Sequence, residues 1–121
     1  MPADKKSEDE RTEMHSDVVK IVLKGGADKD AVNADGNSAI HLAAMGGHDE
    51  AIEALLDGGV SADSQNPGGD TALHLAAEAG RETTIQLLLA RGAGTEAKNV
   101  DDYTPLHLAA WTAQVVWVSI H

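Results

Sequence analysis

The sequence has no cysteine and no phenylalanine, and its three aromatic residues, Tyr103, Trp111 and Trp117, all fall in the last nineteen of 121 positions. Without thiols, disulfides and thiolate zinc sites are excluded, which suits a reducing compartment. A core nearly free of rings must be filled by Leu, Ile, Val and Ala, and such a core suits thin layers of short helices. Long apolar runs are also missing. The opening stretch MPADKKSEDERTEMHSD is polar and mixed in charge, unlike a signal peptide or a membrane span. These absences predict a soluble intracellular protein, cytoplasmic or nuclear, with no membrane partner.

Basic residues are absent from the middle of the chain. The net charge is −11, and residues 30–80 carry nine acids with no Lys or Arg, whereas the flanking stretches are nearly balanced. Such a surface repels phosphate backbones, which argues against nucleic acid as a partner, and it steers a protein with a basic surface toward it. A solvated acidic face that only maintains solubility is the plainer reading of the same feature.

What the sequence does have is a period. His41, His74 and His107 are spaced by 33 residues, and residues 33–65 laid over 66–98 without a gap share twelve identities, among them His41/His74, Leu42/Leu75, Gly47/Gly80 and Ile52/Ile85. A fixed period of this length is the signature of a repeat architecture. Within each unit, Ser38, Thr71 and Thr104 stand where a hydroxyl can cap a helix, and Pro105 follows at a position where a missing N–H costs nothing. Gly47 and Gly80 are placed to end that first helix. A second helix then begins at Asp49 or Glu82, and its apolar residues, Ile52, Leu55, Leu56 and Ile85, Leu88, Leu89, fall on one face at i, i+3, i+4. Each helix has about two turns, too few for stability alone, so its order must come from neighbouring units.

The stretches GNSAIHLAAMGGHDEAIEALLDGGVS, GDTALHLAAEAGRETTIQLLLARGAG and DYTPLHLAA resemble the ankyrin-repeat family, and HSDVVKIVLKGGADKDA is similar to that family's second helix and its exit. Departures are Ala39 and Ala72 in place of Pro, Arg81 where His is frequent, and Asp102 in place of Gly. The resemblance implies an all-α solenoid of stacked helix-turn-helix units with projecting β-turn loops, each unit leaning on its neighbours. The expected division is a polar segment or degenerate cap helix over 1–15, the second helix and exit loop of a first repeat over 16–32, repeats over 33–65 and 66–98, and an incomplete repeat over 99–121.

The resemblance also implies a function: a non-catalytic module that binds a partner protein through its turn tips and the concave face of its first helices. Carried over residue by residue, the contact positions are Ala34, Asp35, Asn37 and Met45 in one unit, Pro67, Asp70 and Glu78 in the next, and Val100, Asp101, Tyr103 and Trp111 in the last. Tyr103 and Trp111 stand out because aromatic residues dominate interface energetics. Trp111 has a second reading, as a cover for the end of an unfinished stack. A regulatory fragment of a larger enzyme or channel is the alternative function.

Chemistry finds little support. The motif histidines lie one to a repeat, so they follow the stack and do not gather around one metal ion. The resemblance gives His41, His74 and His107 a structural role, bonded through the preceding hydroxyl and nearby backbone, with Ser38, Gly47, Thr71, Gly80, Thr104 and Pro105 as the other motif positions. A hydroxyl engaged as a helix cap is a poor nucleophile. There is no glycine-rich phosphate loop, and the carboxylates near Asp49 suit the positive end of a helix dipole. We therefore expect no enzyme activity and no cofactor.

After Ala110 the pattern lapses. Ala113 stands where the period calls for Gly, and VVWVSI is β-branched and uncharged, which favours strand over helix. The polar N-terminal segment reads as a natural boundary and the C-terminal one as a truncated or altered end, so a monomer is expected, with self-association through the open C-terminal end as its alternative.

Overall fold

The structure, a computed structural model, describes residues 28–120, with side chains to residue 113. The segment expected over 1–15 and most of the one over 16–32 lie outside these residues. Five helices follow in order: α1 (Ala39–Gly46), α2 (Asp49–Asp57), α3 (Ala72–Glu78), α4 (Glu82–Ala90) and α5 (Pro105–Ile120). Among the described residues no strand forms, and a single antiparallel bridge joins Val32 and Ser38. The first helices α1, α3 and α5 pack in sequence as an inner row, while α2 and α4 form an outer row that packs on it.

Each inner helix starts for the same local reason. Thr71 is extended, its Oγ1 accepts the His74 N–H at 3.4 Å, and His74 Nδ1 accepts the Thr71 backbone N–H at 3.1 Å. This is a reciprocal capping box in which histidine replaces the usual Glu. Thr104 and His107 repeat it, with bonds of 3.4 and 2.9 Å. Behind the caps, Ala43, Ala44, Ala72, Ala76 and Ala77 are buried. Their small side chains let neighbouring helices approach closely, while Ile40, Ile52, Leu55, Leu73 and Leu88 fill the layers.

The outer row is tied across units by polar bonds as well as by packing. Thr84, fully buried, donates its hydroxyl to Asp49 of the preceding unit. Asp49 therefore both sits at the N-terminus of α2 and anchors α4. Arg91 Nη2 pairs with Asp57 at 2.7 Å, a partly exposed contact of small value.

The last unit differs from the expectation of a broken helix and a strand-prone tail. Helix α5 runs sixteen residues without interruption. At position 113 it carries Ala, the best helix former, where the earlier units have Gly47 and Gly80 in the left-handed conformation (φ 69° and 70°). The β-branched residues beyond it lower helix propensity by only tenths of a kcal/mol each, and extending an existing helix avoids the cost of a new nucleus. Nothing at that place offers a strand partner among the described residues.

One consequence is an uncovered layer. Ile40, Leu73 and Leu106 occupy equivalent positions one period apart, yet they are 1 %, 3 % and 76 % exposed. The first two are covered by the unit that follows, and among the described residues no later unit covers Leu106. A cavity of about 300 Å³ opens beside it, lined mainly by Leu73, Ala77, Ile85, Leu89, Pro105 and Leu106.

Candidate protein-docking groove

The motif histidines tie the helix caps to the loops beside them. Nδ1 of His41 and of His74 accepts a backbone N–H, from Ser38 and Thr71, each at 3.1 Å. A backbone N–H can only donate, so Nδ1 is the acceptor nitrogen and the ring proton resides on Nε2. Nε2–H then donates to the carbonyl of Ser64 at 2.8 Å for His41, and to that of Tyr103 at 2.9 Å for His74. Both rings are buried. His107 makes the same contact to its own cap through Nδ1, but it is exposed, and among the described residues no later carbonyl meets its Nε2. The His74 ring thus fastens its unit to the next, whereas the His41 bond to Ser64 closes the exit loop of its own unit, residues 33–65.

The turn tips carry a second ladder. Asn33, Asn66 and Asn99 each open a tight turn: Oδ1 of Asn33 accepts from the N–H groups of Asp35 and Asn37 at 3.0 and 3.1 Å, and Asn99 does the same for Asp101 and Tyr103 at 3.0 Å each. The amide Nδ2 of Asn66 reaches back to Asn37 Oδ1 at 2.8 Å, and that of Asn99 to Asp70 Oδ1 at 3.0 Å. Backbones touch as well, with Val100 N–H donating to the Gly68 carbonyl at 2.9 Å. A Cβ on Gly69 would meet Asn99 Cα at 2.9 Å and would sit at φ +78°, so only glycine fits there. At the last tip the equivalent residue is Asp102, left-handed at φ 71° despite its side chain.

Between the second and third of the described units, residues 66–98 and 99–121, these elements leave a groove. Its cavity of about 330 Å³ is lined by Asp70, Glu78, Asn99, Asp101, Tyr103, His107, Leu108 and Trp111. The turn tips supply Asp70, Asn99, Asp101 and Tyr103, while α3 and α5 supply Glu78, His107, Leu108 and Trp111. Trp111 is 71 % exposed and Tyr103 48 %, and the Tyr103 ring leans on His107 at a centroid distance of 5.9 Å. Trp111 thus forms one wall of the groove. Nearby, Thr112 Oγ1 donates to the Glu78 carbonyl at 3.0 Å, which ties α5 to the last turn of α3.

Of the contact positions expected from the sequence, Asp70, Glu78, Asp101, Tyr103 and Trp111 come together in this groove. Ala34 and Asp35 are exposed on the first tip, and Val100 is exposed on the third. Asn37 is half-buried, with its oxygen engaged by Asn66. Met45 packs against the core, and its carbonyl accepts from Arg81 Nε at 3.1 Å. Pro67 lies over Gly36, where a Cβ would come within 2.3 Å of its ring. Sequence reasoning missed the bridging role of Asn66 and Asn99, although the spacing of 33 from Asn33 through Asn66 to Asn99 was visible. Among the described residues, no three His, Asp or Glu side chains gather as a metal site, and no helix is long and apolar enough to cross a membrane.

Comparison with known families agrees with this geometry. A family model described as ankyrin repeats, in three copies, matches residues 11–99 and 61–118. A search of curated proteins returned no match.

Proposed function

The chain belongs to the ankyrin-repeat family, whose members are generally protein-interaction modules, and from that premise we propose that it docks a partner protein in the groove between its second and third units and catalyses no reaction. One observation carries the reading. Two exposed aromatic side chains, Tyr103 and Trp111, border a single concavity with three carboxylates, on a frame whose own polar groups are bonded within and between units. Exposed aromatic surface in a rigid concave setting is the kind of feature that supplies a binding hot spot. The motif hydroxyls and imidazoles are engaged in caps and bridges, which leaves them structural.

The experiment is affinity capture with the whole chain against Trp111→Ala and Glu78→Lys, with Glu53→Lys on the outer helix α2 as control. Loss of the same captured proteins with both groove variants, and retention with the control, is the expected result. Equal capture by all four proteins would place the docking surface elsewhere.

A further inference from the structure

We infer that the groove receives an arginine side chain from a basic segment of the partner, its guanidinium lying against Tyr103 and Trp111 and paired with Asp70, Glu78 and Asp101. This rests on the reading of the groove as a docking surface and specifies what that surface recognises. The cavity, about 330 Å³, is at the lower end of the range of about 300–1,000 Å³ usual for ligand pockets. It accommodates one inserted side chain, not a folded element.

Its lining is one-sided in charge. Three carboxylates border it and, among the described residues, no lysine or arginine does, and the stretch 30–80, which contributes Asp70 and Glu78, has no lysine or arginine. Asp70 uses Oδ1 for Asn99, a bond that holds the carboxylate in place across the two tips. Glu78 and Asp101 are exposed and open to a ligand. A cation entering this space meets opposite charge from both units, and desolvation by the walls strengthens each pair.

The combination is particular to this junction. One period earlier, the positions of Asp70, Glu78, Asp101, Tyr103 and Trp111 are held by Asn37, Met45, Gly68, Asp70 and Glu78. The earlier junction therefore lacks aromatic rings, and its side-chain oxygen at Asn37 is already engaged by Asn66. Stack geometry and some carboxylates are common to both junctions; a pair of aromatic rings beside three carboxylates is not. Among cations, arginine fits this lining better than lysine. Its planar, weakly hydrated guanidinium stacks on aromatic faces while its edge donors reach carboxylates, whereas a compact ammonium keeps its water.

The test is titration of the ¹⁵N-labelled full chain with the peptide acetyl-Gly-Arg-Gly-Arg-Gly-amide, monitored by NMR, beside versions carrying lysine or the uncharged isostere citrulline. We expect shifts concentrated at Asp70, Glu78, Asp101, Tyr103 and the Trp111 indole, and binding about tenfold weaker for citrulline, as loss of a charge-assisted bond implies. The conservative pair Glu78→Gln with Asp101→Asn should weaken arginine binding by about tenfold as well. Asp57→Asn on the outer row should leave it unchanged, and dispersed amide spectra establish that each variant is folded. Equal affinity for the citrulline or lysine peptide, or shifts spread over the outer helices, would overturn the assignment. Capture that depends on the groove without arginine-peptide binding would refute the arginine while sparing the docking reading; capture independent of the groove would refute both.

Discussion

His74 and His107 stand in the same motif one period apart, and replacing each by alanine isolates what a following unit contributes. His74 is fully buried, donates through Nε2 to Tyr103 of the next unit, and receives the Thr71 N–H on Nδ1. Truncation deletes the bridge, a neutral hydrogen bond with a net value of about 1 kcal/mol, and leaves the buried Thr71 N–H unpaired at about 1–3 kcal/mol. A cavity where the ring stood adds to this, so His74→Ala should destabilise by about 3 kcal/mol or more. His107 keeps its cap bond and the contact with the Tyr103 ring, makes no bond to a later unit among the described residues, and is exposed. Water replaces what is lost there, and His107→Ala should cost less than about 1 kcal/mol. Urea unfolding followed by far-ultraviolet circular dichroism, with matched m-values, reads both. Equal losses for the two variants would refute the claim that the His74 ring fastens its unit to the next.

Three further outcomes follow from the same geometry. Leu73→Ala should cost about 2–5 kcal/mol and Leu106→Ala about 0.5 kcal/mol or less, measured in the same unfolding assay, because only the first is covered by a following unit. Asp102→Gly should raise stability by about 0.5–1 kcal/mol, seen as a higher unfolding midpoint, since the left-handed backbone penalises a Cβ and no bond of the Asp102 carboxylate is found among the described residues. Thr84→Val should lose about 1–3 kcal/mol by leaving Asp49 without its buried donor, and Asp49→Ala combined with it should add little in a double-mutant cycle.

Features local to one unit were legible in the sequence. The capping hydroxyls, the apolar face of α2 and the glycines that end α1 and α3 are each set by residues a few positions apart, whereas on α4 Leu88 is buried and Leu89 is exposed. Contacts between units were less legible, because a bond such as Asn99 to Asp70 requires the tips to be stacked before the two side chains are neighbours. For the same reason Asn37 and Met45 read as outward positions, whereas Asn66 engages one and Arg81 lies over the other's carbonyl. Propensity misled at VVWVSI, where continuation of α5 through Ala113 outweighed the β-branched bias. The resemblance to ankyrin repeats supplied a band of contact positions along the whole stack. Convergence of five of them on one junction depends on the side-chain placement of Tyr103 and Trp111 and could not be read from spacing alone.

The central claim is that one groove, between the second and third units, meets the partner. A photoreactive benzoylphenylalanine placed at Tyr103 tests it most directly, against the same residue placed at the exposed Gln86 of α4. Irradiation with the partner captured by the unmodified chain should give a cross-linked adduct from position 103 and none from position 86. An adduct from position 86 alone, or equally from both, would contradict the account.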